Sequence, residues 1–346
     1  MELRHRTTGA SIEAMMSIKK YSRSILAMGV LALATAASAI EYQWEVYKSP
    51  LPGYDNTWLL GLADDGFAHV FVFNQIDADN LYYFDRHGKI ETPPPSEGTF
   101  SATDIAVGGL MSGTVYNSTS PFDVPALRKR NGELELVSLP QPATNTLGSG
   151  ISNSGRMVGS YRDFTDPFSY IFRGFFYHGG KTTIYDYPGA LYTVLSDVND
   201  SGWATGIAYG SDFYTAFITN GKQSIPLETG LDYYSQFVPR FINNSQTIAG
   251  GVFTWTGTEY AEISSIYQNG SLTYLQSPKT WPSTIVQPGF GGYPQTYVYG
   301  SSKFVITSLT NKGEVSAMSI ATYHDAYNPW FQYTFVESYI GYPVKS

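Results

Sequence analysis

A five-residue cassette that returns six times constrains the fold of this chain more than any other sequence feature. The copies are Leu62-Ala-Asp-Asp-Gly66, Ile105-Ala-Val-Gly-Gly109, Ile151-Ser-Asn-Ser-Gly155, Val198-Asn-Asp-Ser-Gly202, Ile242-Asn-Asn-Ser-Gln246 and Leu309-Thr-Asn-Lys-Gly313. Their fifth positions are 43 to 47 residues apart, except in the last interval, which is 67 residues long. A period in the mid-forties is typical of small β units that cannot bury their apolar faces alone. The cassette therefore predicts an array of stacked repeats.

The third repeat divides into four β-type runs, at residues 147–151, 156–161, 170–177 and 181–187. Tight turns rich in Asn, Asp, Ser and Gly alternate with a longer connection, as in antiparallel hairpins. An aromatic content of 16% with only 14% charged residues also suits many short strands. Four strands per repeat at this period predict an all-β β-propeller of six four-stranded blades, with seven blades as the alternative.

The last repeat supplies only three clear β-type runs, whereas an unassigned run follows the N-terminal segment. We expect residues 42–49 to complete the last blade, because an open array would leave edge strands exposed. Residues 40–346 are then a single propeller domain. The 67-residue interval contains an insertion at about 278–300, rich in Pro, Gly and aromatic residues. An insertion of this composition is either a functional flap or a loosely ordered excursion.

Residues 1–39 have the pattern of a secretory signal peptide. A basic segment with Lys19, Lys20 and Arg23 precedes an apolar run at 25–36, and Ala37-Ser-Ala39 is a small-residue cleavage site. A membrane anchor is the alternative, but the apolar run is too short to span a bilayer. Residues 1–14 extend beyond the signal itself, so Met15 or Met16 is the expected start. The sequence predicts a secreted, periplasmic or cell-surface protein after cleavage near Ala39.

The charge balance and the missing cysteines exclude several classes of function. Without residues 1–39 the chain has 16 Lys and Arg against 27 Asp and Glu, a net charge of about −11. An acidic chain without a basic cluster is a poor candidate for binding nucleic acid. With no cysteine, neither disulfides nor thiolate metal sites are available. No membrane span, metal or cofactor is expected, and the oligomeric state stays open.

The cassette acids and the turn histidines are interpreted as turn chemistry. Residues such as Asp64, Asp65 and Asn153 could suggest calcium loops, but other copies of the cassette lack the oxygen ligands that calcium needs. His87 and His178 occupy a turn position that is Asn in other repeats. Histidine is among the few residues besides glycine that tolerate left-handed backbone.

Two repeats resemble the HAF-repeat family of extracellular bacterial proteins. The matching residues are Val198-Asn-Asp-Ser-Gly202 with Thr215-Ala-Phe-Ile-Thr-Asn-Gly221, and Ile151-Ser-Asn-Ser-Gly-Arg-Met-Val-Gly159 with Gly174-Phe-Phe-Tyr-His-Gly-Gly180. Where the family name implies His before Ala-Phe, this chain has Thr215. The resemblance implies secretion and a propeller-like repeat, without a settled activity.

Every long connection should emerge at one end of the ring, because the tight turns occupy the other. These connections and the insertion carry aromatic residues beside acids, which suits a glycan or a protein ligand. In the alternative interpretation, the aromatic side chains pack between blades. The candidate ligand-binding residues are Asp163, Phe164, Asp166, Asp212, Tyr214, Trp255, Tyr260, Trp281, Tyr293, Tyr323 and Trp330.

No catalytic motif is present: the sequence lacks a Gly-x-Ser-x-Gly elbow, a phosphate loop and His-Glu-x-x-His. We therefore assign no catalytic residue and expect a non-enzymatic binding or interaction module. The alternative is an exported carbohydrate-active hydrolase or lyase, with an acid pair drawn from Asp163, Asp166 and Asp212 at the central opening. A structural surface protein is a third possibility.

Overall fold

The computed structural model is built from β-strands, and its sheets follow the repeats of the sequence. It describes residues 40–52, 56–74, 79–91, 99–116, 123–140, 143–165, 171–232, 234–257, 260–288, 294–327 and 332–344. Within these residues the only helical element is a three-residue 3-10 turn, Val107–Gly109. All strands belong to one unit, Glu41–Ser346. The all-β prediction is confirmed, whereas the predicted signal peptide lies outside the described residues.

The strands are numbered in chain order. They are β1 (Tyr42–Tyr47), β2 (Asn56–Leu62), β3 (Phe67–Asn74), β4 (Asp79–Arg86), β5 (Lys89–Glu91), β6 (Thr99–Ile105), β7 (Met111–Tyr116), β8 (Val124–Arg128), β9 (Leu134–Leu136), β10 (Ala143–Ile151), β11 (Met157–Asp163), β12 (Ile171–His178), β13 (Lys181–Tyr185), β14 (Tyr192–Val198), β15 (Ala204–Tyr209), β16 (Tyr214–Thr219), β17 (Ser224–Pro226), β18 (Ser235–Ile242), β19 (Ile248–Trp255), β20 (Tyr260–Gln268), β21 (Ser271–Tyr274), β22 (Thr284–Pro288), β23 (Pro294–Leu309), β24 (Val315–Asp325) and β25 (Gln332–Pro343).

Most repeats form a four-stranded antiparallel meander. Strands β2–β5, β6–β9 and β18–β21 are separate sheets of this kind. Strands β10–β13 and β14–β17 are two further meanders, joined into one sheet by a single parallel pairing of Phe172 with Tyr192. Four-stranded meanders repeated along the chain are the arrangement of a β-propeller. The propeller-like class that the period predicted is therefore observed.

The last sheet combines both ends of the described chain with the insertion. Its strand order is β1-β25-β24-β23-β22. Tyr42 of β1 lies opposite Pro343, and Tyr47 lies opposite Ser338. Trp44 packs edge-to-face against Phe304, with ring centroids 5.2 Å apart. Strand β22 comes from the insertion, part of which is therefore ordered as a β22–β23 hairpin.

The apolar core lies between consecutive sheets. One cluster joins Phe67 and Phe84 of the first meander to Ile105 and Met111 at the start of the second. Others join β11 to β14 and β15, and β16 to β18 and β19. Each sheet thus buries its apolar face against the next one, which explains why a single repeat could not fold alone.

Turn chemistry accounts for the ends of the cassettes. The fifth position has a positive φ, between 59° and 84°, in all six copies, including Gln246. Left-handed backbone disfavours most side chains, so glycine fills this position in the other five. In the tight turn between β4 and β5, His87 has φ 52°, as predicted. The same interpretation is wrong for His178, because Gly179 and Gly180 provide the positive φ there.

Candidate functional site

The six cassettes meet around one point of the molecule. A cavity of about 40 Å³ is lined by the first residue of every copy, namely Leu62, Ile105, Ile151, Val198, Ile242 and Leu309. Each first strand runs into its cassette, so the cassettes lie at one end of the axis around which the sheets are arranged, here called the cassette end. The loops between the second and third strands of each meander lie at the opposite end, here called the long-loop end.

The third cassette residue hydrogen-bonds from one repeat to another. The Asn153 Oδ1 atom accepts from the Val107 amide at 3.0 Å, and Asn244 Oδ1 accepts from the Asp200 amide at 2.9 Å. The Asn311 amide donates to Asp64 Oδ1 at 2.5 Å, which links the last cassette to the first. These side chains connect repeats as well as shaping turns, so the turn interpretation explains only part of their role.

Two aspartates that directly precede cassettes meet near the axis. Asp104 accepts hydrogen bonds from the amides of Ile105 at 2.8 Å and Ile151 at 2.9 Å. Asp197 accepts from Val198 and Ile242, both at 2.7 Å. Each carboxyl group therefore ties its own repeat to the next, and the two carboxyl groups hydrogen-bond to each other. Such a contact needs a shared proton, because two adjacent carboxylates repel.

The surroundings of this pair favour its protonated form. Burial raises the pKa of Asp104 to about 6, against hydrogen bonds that lower it. Burial, followed by the charge of Asp104, raises the pKa of Asp197 well above its usual value. Gly150 provides the space: a Cβ atom on it would lie 2.3 Å from both Cα and Oδ1 of Asp197.

Replacing Gly150 with alanine should therefore destabilise the fold by about 1–3 kcal/mol, because the new methyl group meets backbone that cannot move aside. Gly61→Ala is the matched control. It occupies the same position before the first cassette, but its Cβ would meet only the Ile105 side chain, at 2.9 Å. Urea unfolding at constant pH measures both changes. Equal losses in the two variants would contradict the steric explanation.

A second and larger cavity lies on the other side of Asp104, toward the long-loop end. Its volume is about 220 Å³, and it is lined by Thr103, Asp104, Leu147, Ser149, Ser196, Arg240 and Phe241. Four of these residues, Thr103, Ser149, Ser196 and Arg240, stand two positions before a cassette. The Arg240 guanidinium is ion-paired with Glu262 at 2.6 Å.

Among the predicted ligand residues, Trp255 and Tyr260 form an exposed pair. They lie opposite each other where β19 meets β20, with ring centroids 5.1 Å apart. Trp255 is 45% exposed and Tyr260 is 68% exposed. Tyr234, directly before β18 in the same sheet, is 64% exposed. All three rings lie at the long-loop end, where the sequence predicted Trp255 and Tyr260 but not Tyr234.

The two predicted acidic residues that the structure describes, Asp163 and Asp212, each have another partner. Asp163 is held by Arg173 at 2.7 Å. Although burial alone would raise its pKa, hydrogen bonds from Thr165 and Arg173 hold the pKa of Asp163 below its usual value. Phe164 lies beneath the Arg162 guanidinium. Asp212 is exposed and accepts a hydrogen bond from Ser211. Asp166, Tyr293 and Trp330 lie outside the described residues.

Three other candidates are packed into the molecule. Tyr323 is fully buried and donates to the Pro282 carbonyl at 2.8 Å. Tyr214 donates to the Phe237 carbonyl at 2.5 Å, and Trp281 donates to Ser319 at 2.9 Å. The ligand-binding prediction is therefore wrong for Tyr323, whose ring fills the core, and the packing interpretation applies to it.

Sequence reasoning missed Asp104, Asp197 and Arg240. One usable signal exists: each of these charged residues stands in the first strand of its meander, one or two positions before a cassette. In the part of the chain that the structure describes, no group of three or more His, Asp or Glu side chains could hold a metal ion. Over the same residues, no helix is both long and apolar enough to cross a bilayer.

No model of a known protein family matches the chain, and neither does any curated protein. Solved structures are similar at low identity. Streptogramin B lyase is 12% identical, with 88% of this chain and 99% of that chain covered and a TM-score of 0.36. The β-propeller domain of the Trilobed protease from Pyrococcus furiosus is 10% identical, with coverage of 82% and 79% and a TM-score of 0.43. TolB from Acinetobacter baumannii is 11% identical, with coverage of 81% and 67% and a TM-score of 0.37.

Proposed function

We propose that the chain is a six-bladed propeller whose last blade is completed by β1. The shared cavity of six cassettes supports this number. Contacts between the first and last sheets support a closed ring: the Leu59 amide donates to Ser338 Oγ at 2.9 Å, and the Val336 amide donates to Asn56 Oδ1 at 2.8 Å. A signal within residues 1–39 and the HAF-repeat resemblance support export of this propeller.

We further propose that the exported propeller binds glycans through its long-loop end. The observation that carries the proposal is the exposed Trp255–Tyr260 pair with Tyr234 nearby. Large aromatic rings held in water by a paired hairpin are costly to leave uncovered, and they offer apolar faces beside polar edges. Sugar rings present matching apolar faces and hydroxyl groups. A chain this acidic disfavours polyanionic ligands.

A glycan suits this surface better than a protein partner does. A specific protein interface buries about 800 Å² on each side. The exposed surface proposed for binding consists of three rings at the end of one sheet, which suits a ligand of a few sugar units. Binding of a protein partner is therefore an outcome that the experiment below must separate from glycan binding.

The hydrolase or lyase alternative draws less support from the geometry. The carboxyl groups of a glycosidase stand about 5–5.5 Å apart when configuration is retained and about 6.5–9.5 Å apart when it is inverted. The Asp104 and Asp197 carboxyl groups are in hydrogen-bond contact, and both are engaged by backbone amides. Their arrangement favours a structural connection between repeats.

Glycan-array screening of residues 40–346, followed by calorimetry with the best ligand, tests the proposal. Trp255→Ala and Tyr260→Ala should each weaken binding about tenfold, which corresponds to a loss of about 1.4 kcal/mol. Tyr82→Ala is the matched control, because Tyr82 is half-exposed but lies in the middle of β4. An array without any bound glycan, or equal weakening by the control, would contradict glycan binding. Capture of one defined protein by immobilised residues 40–346 would instead favour a protein ligand for this surface.

A further inference from the structure

The larger cavity near the axis is built by a structural irregularity that recurs in the strands that lead into a cassette. Strand β6 has one extra residue relative to its partner strand between Ala102 and Asp104, and β18 has one between Pro239 and Phe241. The other strands that lead into a cassette, β2, β10, β14 and β23, have comparable register shifts close to their cassettes. β-Bulges re-aim side chains and often occur beside functional sites.

Residues at four of these bulges line the cavity. Thr103, Ser196 and Arg240 are the extra residues of their strands, and Ser149 lies within the shift of β10. All four border the 220 Å³ space. The bulges of neighbouring repeats thus aim polar side chains at one point. Recurrence at the same place in separate strands distinguishes this cavity from an accidental packing gap.

The lining offers hydrogen-bonding groups that the fold does not use. Among the described residues, the hydroxyl groups of Ser149 and Ser196 make no hydrogen bond in the structure, whereas Thr103 Oγ1 donates to the Ser149 carbonyl at 2.8 Å. The Arg240 guanidinium has five N–H donors, and its ion pair with Glu262 leaves some of them available. Leu147 and Phe241 add an apolar wall. A few convergent polar groups beside apolar surface characterise small-molecule sites.

Charge and size select the class of ligand. Glu262 offsets the Arg240 charge, and Asp104 adds an acidic group, so the cavity carries no excess of positive charge for phosphate or carboxylate. With a volume of about 220 Å³, the cavity suits one sugar ring rather than a chain. We propose that the cavity lined by the bulge residues Thr103, Ser149, Ser196 and Arg240 is a second ligand site that takes a single neutral sugar ring or a similar polyol.

This site is separate from the Trp255–Tyr260 surface, and either proposal can fail without the other. The test titrates residues 40–346 with D-glucose, D-galactose, D-mannose, N-acetyl-D-glucosamine and myo-inositol, observed by saturation-transfer NMR and calorimetry. We expect at least one of these probes to bind. The double variant Ser149→Ala with Ser196→Ala should weaken that probe at least tenfold, and Ser196→Ala alone should weaken it by a smaller factor.

Thr307→Ala is the matched control, because Thr307 is the corresponding bulge residue of β23 and does not line the cavity, so binding of the monosaccharide probe should be unchanged. Thermal unfolding verifies that each serine variant is folded, and the single variant provides the test if the double variant is not. The proposal is overturned if no probe binds, if the serine variants bind as tightly as the parent chain, or if Trp255→Ala alone abolishes binding. Preferential binding of inorganic phosphate or citrate at the same serines would overturn the assignment to a neutral ligand.

Discussion

Replacing Asp197 with alanine should lower the free energy of unfolding by about 3–5 kcal/mol, measured by urea denaturation at pH 5. The substitution leaves the amides of Val198 and Ile242 without their acceptor, and each unsatisfied buried donor costs about 1–3 kcal/mol. Asp104 also loses its hydrogen-bonding partner. The control is Asp212→Ala, which removes an exposed carboxylate and should change stability by about 0.5 kcal/mol or less.

The same acid pair should make the protein less stable as the pH rises. The unfolded chain releases these protons near pH 4, whereas the folded chain retains them, because the pKa values of Asp104 and Asp197 are raised. Their stabilising contribution is complete below about pH 4 and is lost as the pH rises through the folded pKa values.

Asp197→Asn separates this pH effect from simple loss of contacts. The Asn amide group donates to Asp104 without requiring a shared proton, so the decline in stability between pH 4 and pH 8 should become shallower. The variant is expected to be less stable than the parent chain at pH 5, because an amide group accepts fewer backbone hydrogen bonds than a carboxylate. Parallel pH profiles for the variant and the parent chain would contradict a shared proton.

Removing residues 40–50, and β1 with them, should cost about 5 kcal/mol or more and should cause self-association. Loss of the Trp44 ring from its contacts with Phe304 and Tyr339 alone compares with large-to-small core substitutions, which cost about 3–5 kcal/mol. The hydrogen bond from Tyr47 to Asp85 is lost as well. The twelve-residue strand β25 then becomes an unpaired edge, which can pair with a second copy of the chain.

Denaturation and light scattering of the shortened chain measure these two effects. A synthetic peptide of residues 40–50, added in trans, should restore both the stability and the association state of the parent chain by occupying the edge of β25. The same peptide with Trp44→Ala is the matched control and should rescue less. A shortened chain that is monomeric and as stable as the parent would contradict a structural role for β1.

Local sequence patterns were sufficient to predict the repeats and the positions of their tight turns. The fifth cassette residue adopts positive φ in every copy, because the tight turn between the first and second strands of a meander needs it and the local residues permit it. His178 shows where such reasoning fails, since neighbouring glycines took up the strained conformation instead. Turn chemistry depends on a few adjacent residues, which is why it could be read without a tertiary structure.

The candidate site was predictable only in part. Trp255, Tyr260 and Tyr323 were equivalent candidates by composition, yet the first two are exposed and the third is buried. The difference arises because Tyr323 lies in β24 between two long partner strands, whereas Trp255 and Tyr260 flank the loop that connects β19 to β20. Exposure of an aromatic ring depends on which other strands cover it, and no local pattern records that.

The sequence by itself determined a chain of four-stranded β repeats, the positions of their tight turns and the end at which their long loops lie, because strand alternation and turn chemistry act over a few residues. Only the tertiary structure decided that Asp104 and Asp197 meet, that Gly150 leaves room for them and that bulge residues from four strands line one cavity. These residues belong to different repeats and are up to 137 positions apart. Their proximity follows from the packing of consecutive sheets around a common axis, which brings equivalent positions of distant repeats together.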